Sequence, residues 1–167
     1  MYNARMRFAL AFLTASAMAS GMAVAQTAPS LQFKGGSAHA TIQPSPAAVD
    51  AAPGAKAALT LDVTPKAGIH VYAPGTKDFI PIELKLDANP AVKAGKTAYP
   101  KSELMTFGDE KVPVFEKPFK LTNEVTIAKG TKAGAVTVSG TVHLQACDDK
   151  VCYPPENVPV SWTVNVK

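Results

Sequence analysis

Hydrophobic and polar residues alternate with a period of two along most of the chain beyond residue 37. Such alternation is typical of β-strands that bury one face, and clusters of proline and glycine separate the alternating runs. No amphipathic segment is long enough for a major helix, so the pattern predicts an all-β sandwich with Trp162 in its core. The eight predicted strands are residues 38–43, 57–64, 69–72, 80–86, 97–99, 119–128, 135–144 and 158–166.

Residues 1–25 have the features of an export signal. Arg5 and Arg7 form a positive n-region, residues 8–18 form an apolar h-region, and Ala23-Val24-Ala25 fits a small-x-small cleavage site. The apolar part is short and is interrupted by hydroxyl residues, which is unlike a membrane span. We therefore predict a cleaved signal peptide, with a retained N-terminal anchor as the alternative.

The remaining 142 residues, 26–167, suit one domain with a single core. Residues 26–37 are polar and small and predict a flexible lead, whereas residues 38–167 form the predicted domain. Without the two arginines of the signal, the chain carries 15 basic and 13 acidic residues, and its lysines are scattered. This composition does not favour nucleic acid. We expect an exported, monomeric protein whose two cysteines pair in an oxidising compartment.

The two cysteines, Cys147 and Cys152, lie after one predicted strand and before another. If residues 148–151 form a turn, the cysteines face each other in antiparallel geometry, where Cα atoms lie roughly 4.5 to 5.5 Å apart. This separation falls within the range of about 4.4 to 6.8 Å that a disulfide requires. Pro154 and Pro155 hold the next residues extended and outside regular strand pairing, which leaves the neighbouring cysteine approachable.

A bridge within so short a ring contributes little to stability. The chain-entropy value for a loop of about six residues is roughly 2 kcal/mol, against about 4.7 kcal/mol for a loop of a hundred residues. Such a bridge can be opened without unfolding the domain, and we interpret the pair as a redox couple. The alternative is a local structural disulfide that shapes a loop of a non-catalytic binding module.

The segments Gln145-Ala146-Cys147 and Cys152-Tyr153-Pro154-Pro155-Glu156 resemble the active site of the periplasmic N-terminal domain of DsbD, the thiol:disulfide interchange protein. The resemblance implies an immunoglobulin-like β-sandwich whose disulfide accepts electrons from a thioredoxin-like domain and passes them to periplasmic partners. It also implies that Cys152 forms the mixed disulfide with partners and that Cys147 resolves it. This chain has four residues between its cysteines, whereas the best-known member has five.

The resemblance further implies a periplasmic component of protein-disulfide reduction that needs no cofactor. Such a protein would work through transient mixed disulfides with thioredoxin-like redox proteins. The sequence ends at Lys167 without the membrane domain and the thioredoxin-like domain of DsbD. We therefore expect a separate membrane protein as the electron donor.

Four further residues are candidates for the surroundings of the disulfide. Residues 100–118 have poor strand character and predict a long connection, and long loops in compact domains are often lids. In the resembled family, the corresponding loop caps the disulfide with an aromatic ring before a glycine, which Phe107 matches. The alternative is that this ring anchors the loop to the core. His70 and Tyr72 share one face of a predicted strand that borders the family's active site, and Tyr153 directly follows the second cysteine.

His143 raises a rival interpretation. On one straight strand, residues 143, 145 and 147 share a face, so His143, Cys147 and Cys152 could bind copper or zinc. The thiolates would have to stay reduced in an oxidising compartment, and no fourth ligand has a recognised spacing, so we expect no metal. The sequence also has neither a glycine-rich phosphate loop nor a Gly-x-Ser-x-Gly motif for other enzyme chemistry.

Overall fold

Fourteen β-strands form the regular structure of residues 35–167, the part of the chain that this computed structural model describes. The predicted signal peptide, and residues 26–34 of the predicted lead, lie outside the described residues. Within residues 35–167, no helix is long and apolar enough to cross a bilayer. The strands are β1 (Gly35–Gly36), β2 (Ala40–Pro44), β3 (Ala48–Ala51), β4 (Lys56–Pro65), β5 (His70–Tyr72), β6 (Glu83–Leu86), β7 (Val92–Lys93), β8 (Thr97–Ala98), β9 (Glu103–Phe107), β10 (Glu110–Phe115), β11 (Phe119–Ile127), β12 (Gly134–Leu144), β13 (Ala146–Cys147) and β14 (Glu156–Val166).

The strands are arranged in three sheets. Sheet A has the order β1-β2-β4-β11-β7, and β8 also pairs with β11. Sheet B has the order β3-β14-β12-β6, and sheet C has the order β13-β5-β10-β9. The β3–β14 pair is parallel, whereas the long β12–β14 and β4–β11 pairs are antiparallel. The longest strand pair among the described residues is β12–β14, and the short β13 lies between these two strands in the chain.

Sheets A and B pack around one hydrophobic core. Every second residue of β4 and β11 is buried on one side of it, and every second residue of β14 is buried on the other. The Trp162 indole N–H of sheet B donates a hydrogen bond to the Thr60 carbonyl of sheet A at 2.9 Å. This arrangement confirms the predicted all-β, immunoglobulin-like sandwich and the place of Trp162 in its core.

The prediction that residues 100–118 form a long connection is wrong. Strands β9 and β10 form a hairpin in which Phe107 opposes Glu110, so Gly108 and Asp109 make a two-residue turn. Gly108 has a φ of 59°, a conformation that glycine adopts without steric cost. The pattern was obscured by charged residues near the tip and by Pro113, because a proline usually argues against a paired strand.

The chain changes sheets at Gln145. Strand β12 ends at Leu144 in sheet B, and β13 begins at Ala146 in sheet C, where it pairs with β5. The straight strand that would place residues 143 and 147 on one face is therefore absent from the described structure, and the geometric basis of the metal interpretation was wrong. Cys147 therefore lies in sheet C, outside the two sheets of the sandwich.

Candidate redox site

Cys147 and Cys152 form a disulfide with an S–S distance of 2.05 Å and a Cα–Cα distance of 4.0 Å. The two residues are antiparallel bridge partners. Between them, the Asp148 N–H donates to the Val151 carbonyl at 3.0 Å, which closes the turn. This geometry confirms that the cysteines face each other across a turn of residues 148–151, although their Cα atoms lie closer together than the predicted separation of roughly 4.5 to 5.5 Å.

The two cysteine residues differ in their exposure to solvent. Cys147 lies in β13 and is 1% exposed, whereas Cys152 is an exposed residue. Residues 153–155, which include both prolines, form no regular strand. A thiol that approaches from outside therefore meets Cys152 before Cys147.

Asp148 shapes the loop between the cysteines. One carboxylate oxygen accepts hydrogen bonds from the N–H groups of Lys150 and Val151, both at 2.8 Å. The other oxygen accepts the Tyr153 hydroxyl at 2.7 Å. The Tyr153 bond and then the two backbone bonds lower the pKa of Asp148 to about 2. This role was not predicted from the sequence, although an aspartate at the start of a turn commonly accepts a hydrogen bond from the backbone two residues on.

Tyr153 is fixed beside the loop by several contacts. Its ring stacks on His39, with ring centroids 3.9 Å apart and an interplanar angle of 18°. Its N–H donates to the Ala146 carbonyl at 2.9 Å, and its carbonyl accepts the Gln145 side-chain amide at 3.2 Å. The bond to Asp148 raises the pKa of the Tyr153 hydroxyl. Tyr153 therefore supports the cysteine loop, and His39 is a further neighbour that the sequence did not indicate.

Three aromatic rings and the disulfide line one pocket of about 210 Å³. The Tyr72 ring stacks on Phe79 with a centroid distance of 4.2 Å. The half-buried Phe107 lies 6.5 Å from Tyr72 and 6.0 Å from Phe79 between ring centroids. The structure thus places Phe107 and Tyr72 in one pocket with the disulfide, and the capping role of Phe107 stays a prediction. Phe79 was missed, because it comes from a loop without periodicity.

The Tyr72 hydroxyl lies 3.6 Å from the Sγ atom of Cys152. The Tyr72 side chain is buried, and burial raises the pKa of its hydroxyl. The hydroxyl therefore keeps its proton at neutral pH and can donate a hydrogen bond to this sulfur.

His70 lies beneath the same cluster and is 1% exposed. Its ring centroid is 5.4 Å from that of Tyr72 and 5.5 Å from that of Phe107. Its Nε2 atom is buried and has no hydrogen-bond partner among the described residues. Burial lowers the pKa of His70 and outweighs the opposite effect of nearby carboxylates, so the imidazole is neutral at neutral pH.

His143 lies apart from this cluster. It belongs to sheet B, where its Nδ1 atom is 2.8 Å from the Asn157 side-chain oxygen. Within residues 35–167, no group of three or more histidine, cysteine, aspartate or glutamate residues is arranged to hold a metal ion.

Comparison with known proteins gives a family match. The sequence profile of the family described as "Thiol:disulfide interchange protein DsbD, N-terminal" matches residues 38–161. The DsbD N-terminal domain of Neisseria meningitidis, in its reduced form, is 17% identical with a TM-score of 0.46, over 68% of this chain and 82% of that chain. The N-terminal periplasmic domain of ScsB from Proteus mirabilis is 12% identical with a TM-score of 0.48, over 74% of this chain and 46% of that chain. A search among curated proteins gives no significant match.

Proposed function

The chain belongs to the family of DsbD N-terminal domains, and on this premise we propose that it relays electrons by thiol–disulfide exchange through Cys147 and Cys152. It takes two electrons from a thioredoxin-like donor and passes them to acceptor proteins in the periplasm. The observation that carries this proposal is the asymmetric disulfide, in which an exposed cysteine is joined to a buried one only five positions away.

The first half of the relay reduces this disulfide. A thiolate of the donor attacks Cys152 Sγ, forms an intermolecular S–S bond and breaks the bond to Cys147, whose sulfur leaves as a thiolate and takes a proton. The donor's second thiolate then attacks the donor sulfur of the mixed disulfide, and Cys152 leaves as a thiolate. The donor's dithiol has become a disulfide, and the disulfide of this chain has become a dithiol.

The second half reverses these roles. The Cys152 thiolate attacks an acceptor disulfide and forms a mixed disulfide, with one acceptor sulfur as the leaving thiolate. Cys147 then attacks Cys152 Sγ and releases the second acceptor sulfur. The buried position of Cys147 supports its assignment as the resolving residue, because an external disulfide reaches Cys152 first.

The neighbouring side chains support specific roles in this exchange. The Tyr72 hydroxyl, 3.6 Å from Cys152 Sγ, donates a hydrogen bond that stabilises the Cys152 thiolate whenever it forms. The rings of Phe107 and Phe79 line the pocket of the disulfide and limit access by other thiols until a partner displaces the hairpin that carries Phe107. Tyr153 holds the loop in place through Asp148.

Trapping of the mixed disulfide tests the proposal. A thioredoxin-like domain with a single cysteine, carried as a mixed disulfide with thionitrobenzoate, is mixed with reduced Cys147→Ser protein. We expect release of thionitrobenzoate and a covalent complex that dithiothreitol reduces. Cys152 attacks the sulfur of the thioredoxin-like domain, and the variant has no second cysteine to resolve the mixed disulfide. The matched variant Cys152→Ser, which keeps the buried thiol, should form far less complex.

Two results would contradict the relay. The first is equal trapping by the two single-cysteine variants. The second is no trapping by Cys147→Ser, together with wild-type cysteines that react only after denaturation. The second result would leave a structural disulfide in a binding module.

A further inference from the structure

We propose that His70 accepts the proton of the Cys147 thiol in the step in which Cys147 resolves a mixed disulfide at Cys152. This inference rests on the proposed function for its reaction. It gives a role to a buried histidine that takes no part in the sulfur exchange described above.

The strand register places the two residues side by side. Cys147 and His70 are partners in the antiparallel β13–β5 pair, and the adjacent partners are Ala146 and Val71. Directly opposed residues project from the same face of a sheet, with Cβ atoms about 4.5 to 5.5 Å apart. Ala146 and Val71 belong to the main core, so Cys147 and His70 share the opposite face, which carries the aromatic pocket.

The unpartnered Nε2 atom points to a group that is missing from the disulfide form. A buried polar atom without a partner is unfavourable and is rare in folded proteins. In the oxidised protein the Cys147 sulfur is bonded to Cys152 and has no proton to donate. After the disulfide opens, Cys147 carries an S–H donor on the face that it shares with His70, and a neutral imidazole offers one nitrogen as acceptor.

The resolving step needs a base at this position. Only a thiolate attacks a disulfide, and apolar burial raises the pKa of a thiol. Cys147 is 1% exposed, so bulk water has little access to its proton. The Tyr72 hydroxyl is protonated and contacts Cys152, and the Asp148 carboxylate already accepts three hydrogen bonds. The neutral imidazole of His70 lies opposite Cys147 in the β13–β5 pair and is free to accept a proton.

The charged and titratable groups that face His70 come from several elements. Tyr72 lies on its own strand, Glu116 follows β10, and Asp148 and Asp149 lie in the cysteine loop. The negative charges of the three carboxylates favour the imidazolium form, so they stabilise His70 after it has accepted the proton. Burial opposes that charge and keeps the resting imidazole neutral.

The step is balanced in protons and electrons. The Cys147 proton moves to His70 Nε2, the Cys147 sulfur attacks Cys152 Sγ, and the bond between Cys152 and the partner breaks. The partner sulfur leaves as a thiolate, and the imidazolium returns its proton to that thiolate or to solvent. The dithiol of this chain becomes a disulfide, and the partner's disulfide becomes a dithiol.

A glutathione assay measures the step without any protein partner. Reduced protein is mixed with glutathione disulfide, quenched in acid, and analysed for molecules that carry one glutathione. We expect His70→Gln to resolve this mixed disulfide at least about tenfold more slowly. This threshold lies below the roughly 10²- to 10⁴-fold that a general base typically contributes. The matched control His143→Gln alters a histidine in sheet B and should resolve at the wild-type rate.

The same assay separates attack from resolution. In a Cys147→Ser background, His70→Gln should leave the rate of glutathione attachment to Cys152 unchanged. Resolution by His70→Gln within about twofold of wild type would overturn the proposal, because a general base contributes more than this. Equal slowing of attachment and resolution would also overturn it, since that result indicates a structural role.

A second measurement uses the wild-type protein, so it does not depend on whether the variants fold. The ¹⁵N chemical shifts of the imidazole nitrogens are compared between the oxidised and reduced proteins. We expect the His70 Nε2 shift to change on reduction as it gains the Cys147 thiol, and the His143 shift to stay constant. An unchanged His70 shift would overturn the proposal. That result is expected if a water molecule is hydrogen-bonded to Nε2 in both redox forms. Neither measurement uses a thioredoxin-like protein, so failure of the relay and failure of the His70 assignment are separate outcomes.

Discussion

One carboxylate, that of Asp148, accepts hydrogen bonds from two backbone N–H groups and from the Tyr153 hydroxyl. Its pKa of about 2 in the folded protein lies below the value of about 3.9 for a free aspartate. The folded state therefore binds fewer protons than the unfolded state between these values. Ionised Asp148 stabilises the fold fully above about pH 4, and this contribution is lost as the pH falls through about 2.

We expect Asp148→Asn to lower the stability of the cysteine loop at neutral pH and to weaken the loss of stability in acid. Urea unfolding at several pH values between 2 and 7 measures both effects. Tyr153→Phe is the matched control, because it removes one of the three bonds and keeps the two backbone bonds, so its effect should be smaller. Identical pH profiles of Asp148→Asn and wild type would show that the carboxylate does not hold the loop.

The sequence predicts some of the site residues and misses others for a physical reason. His70 and Tyr72 alternate along one strand, so their shared face follows from the backbone period alone. The role of Asp148 depends on the conformation of the turn, and Phe79 reaches Tyr72 from a loop. Contacts that depend on loop geometry leave no periodic signal in the sequence.

The β9–β10 hairpin is an element that the hydrophobic pattern did not predict. Its inward face carries Val112 and Val114, which are buried, but Pro113 and the charged residues around the tip interrupt the expected strand composition. The Gly108-Asp109 pair was the available signal, because such a dipeptide between two alternating runs indicates a two-residue hairpin turn. Phe107, the predicted cap, was thus expected on a loop and lies at the end of β9.

We expect Phe107→Ala to increase the rate at which dithiothreitol reduces the disulfide of the folded protein. The ring lines the pocket of the disulfide, and its removal opens that pocket to small thiols. The cost in stability should be below the roughly 3 to 5 kcal/mol of a fully buried phenylalanine, since Phe107 is only half-buried. Thiol release with time, measured well below the unfolding temperature, gives the rate.

Leu104→Ala provides the control on the same strand. Leu104 is 65% exposed, whereas Met105 and Phe107 pack against the buried cluster that contains Tyr72 and Cys147. Its truncation should leave the reduction rate unchanged. If both variants react like wild type, Phe107 anchors the hairpin and does not protect the disulfide.

The residues that stabilise the fold and the residues of the redox site lie in different parts of the molecule. The core between sheets A and B contains most of the buried hydrophobic residues, and the strict alternation of its long strands made the sandwich predictable. Sheet C contains Cys147 of the disulfide, and two of its strands are short: β5 has three residues and β13 has two. Such short strands give weak signals, so the sheet that carries the site was the least predictable part of the fold.

This separation leads to a prediction about the reduction potential of the Cys147/Cys152 pair. The disulfide closes a ring of sequence separation five in a loop outside the main core. Its opening should change the free energy of unfolding by only about 2 kcal/mol, so little folding energy opposes reduction. We expect a potential in the range of dedicated exchange proteins, roughly −120 to −270 mV, with rapid exchange in the folded state.

Equilibration of the purified protein in thiol redox buffers, followed by alkylation and intact-mass analysis, measures this potential. Urea unfolding of the oxidised and reduced forms is the matched control, because a small difference in stability is the reason for the expected value. A potential below about −300 mV is typical of structural disulfides. Such a value, with thiols that react only after denaturation, would mean that the disulfide stabilises the folded loop and that the Cys147/Cys152 pair does not exchange electrons with partners.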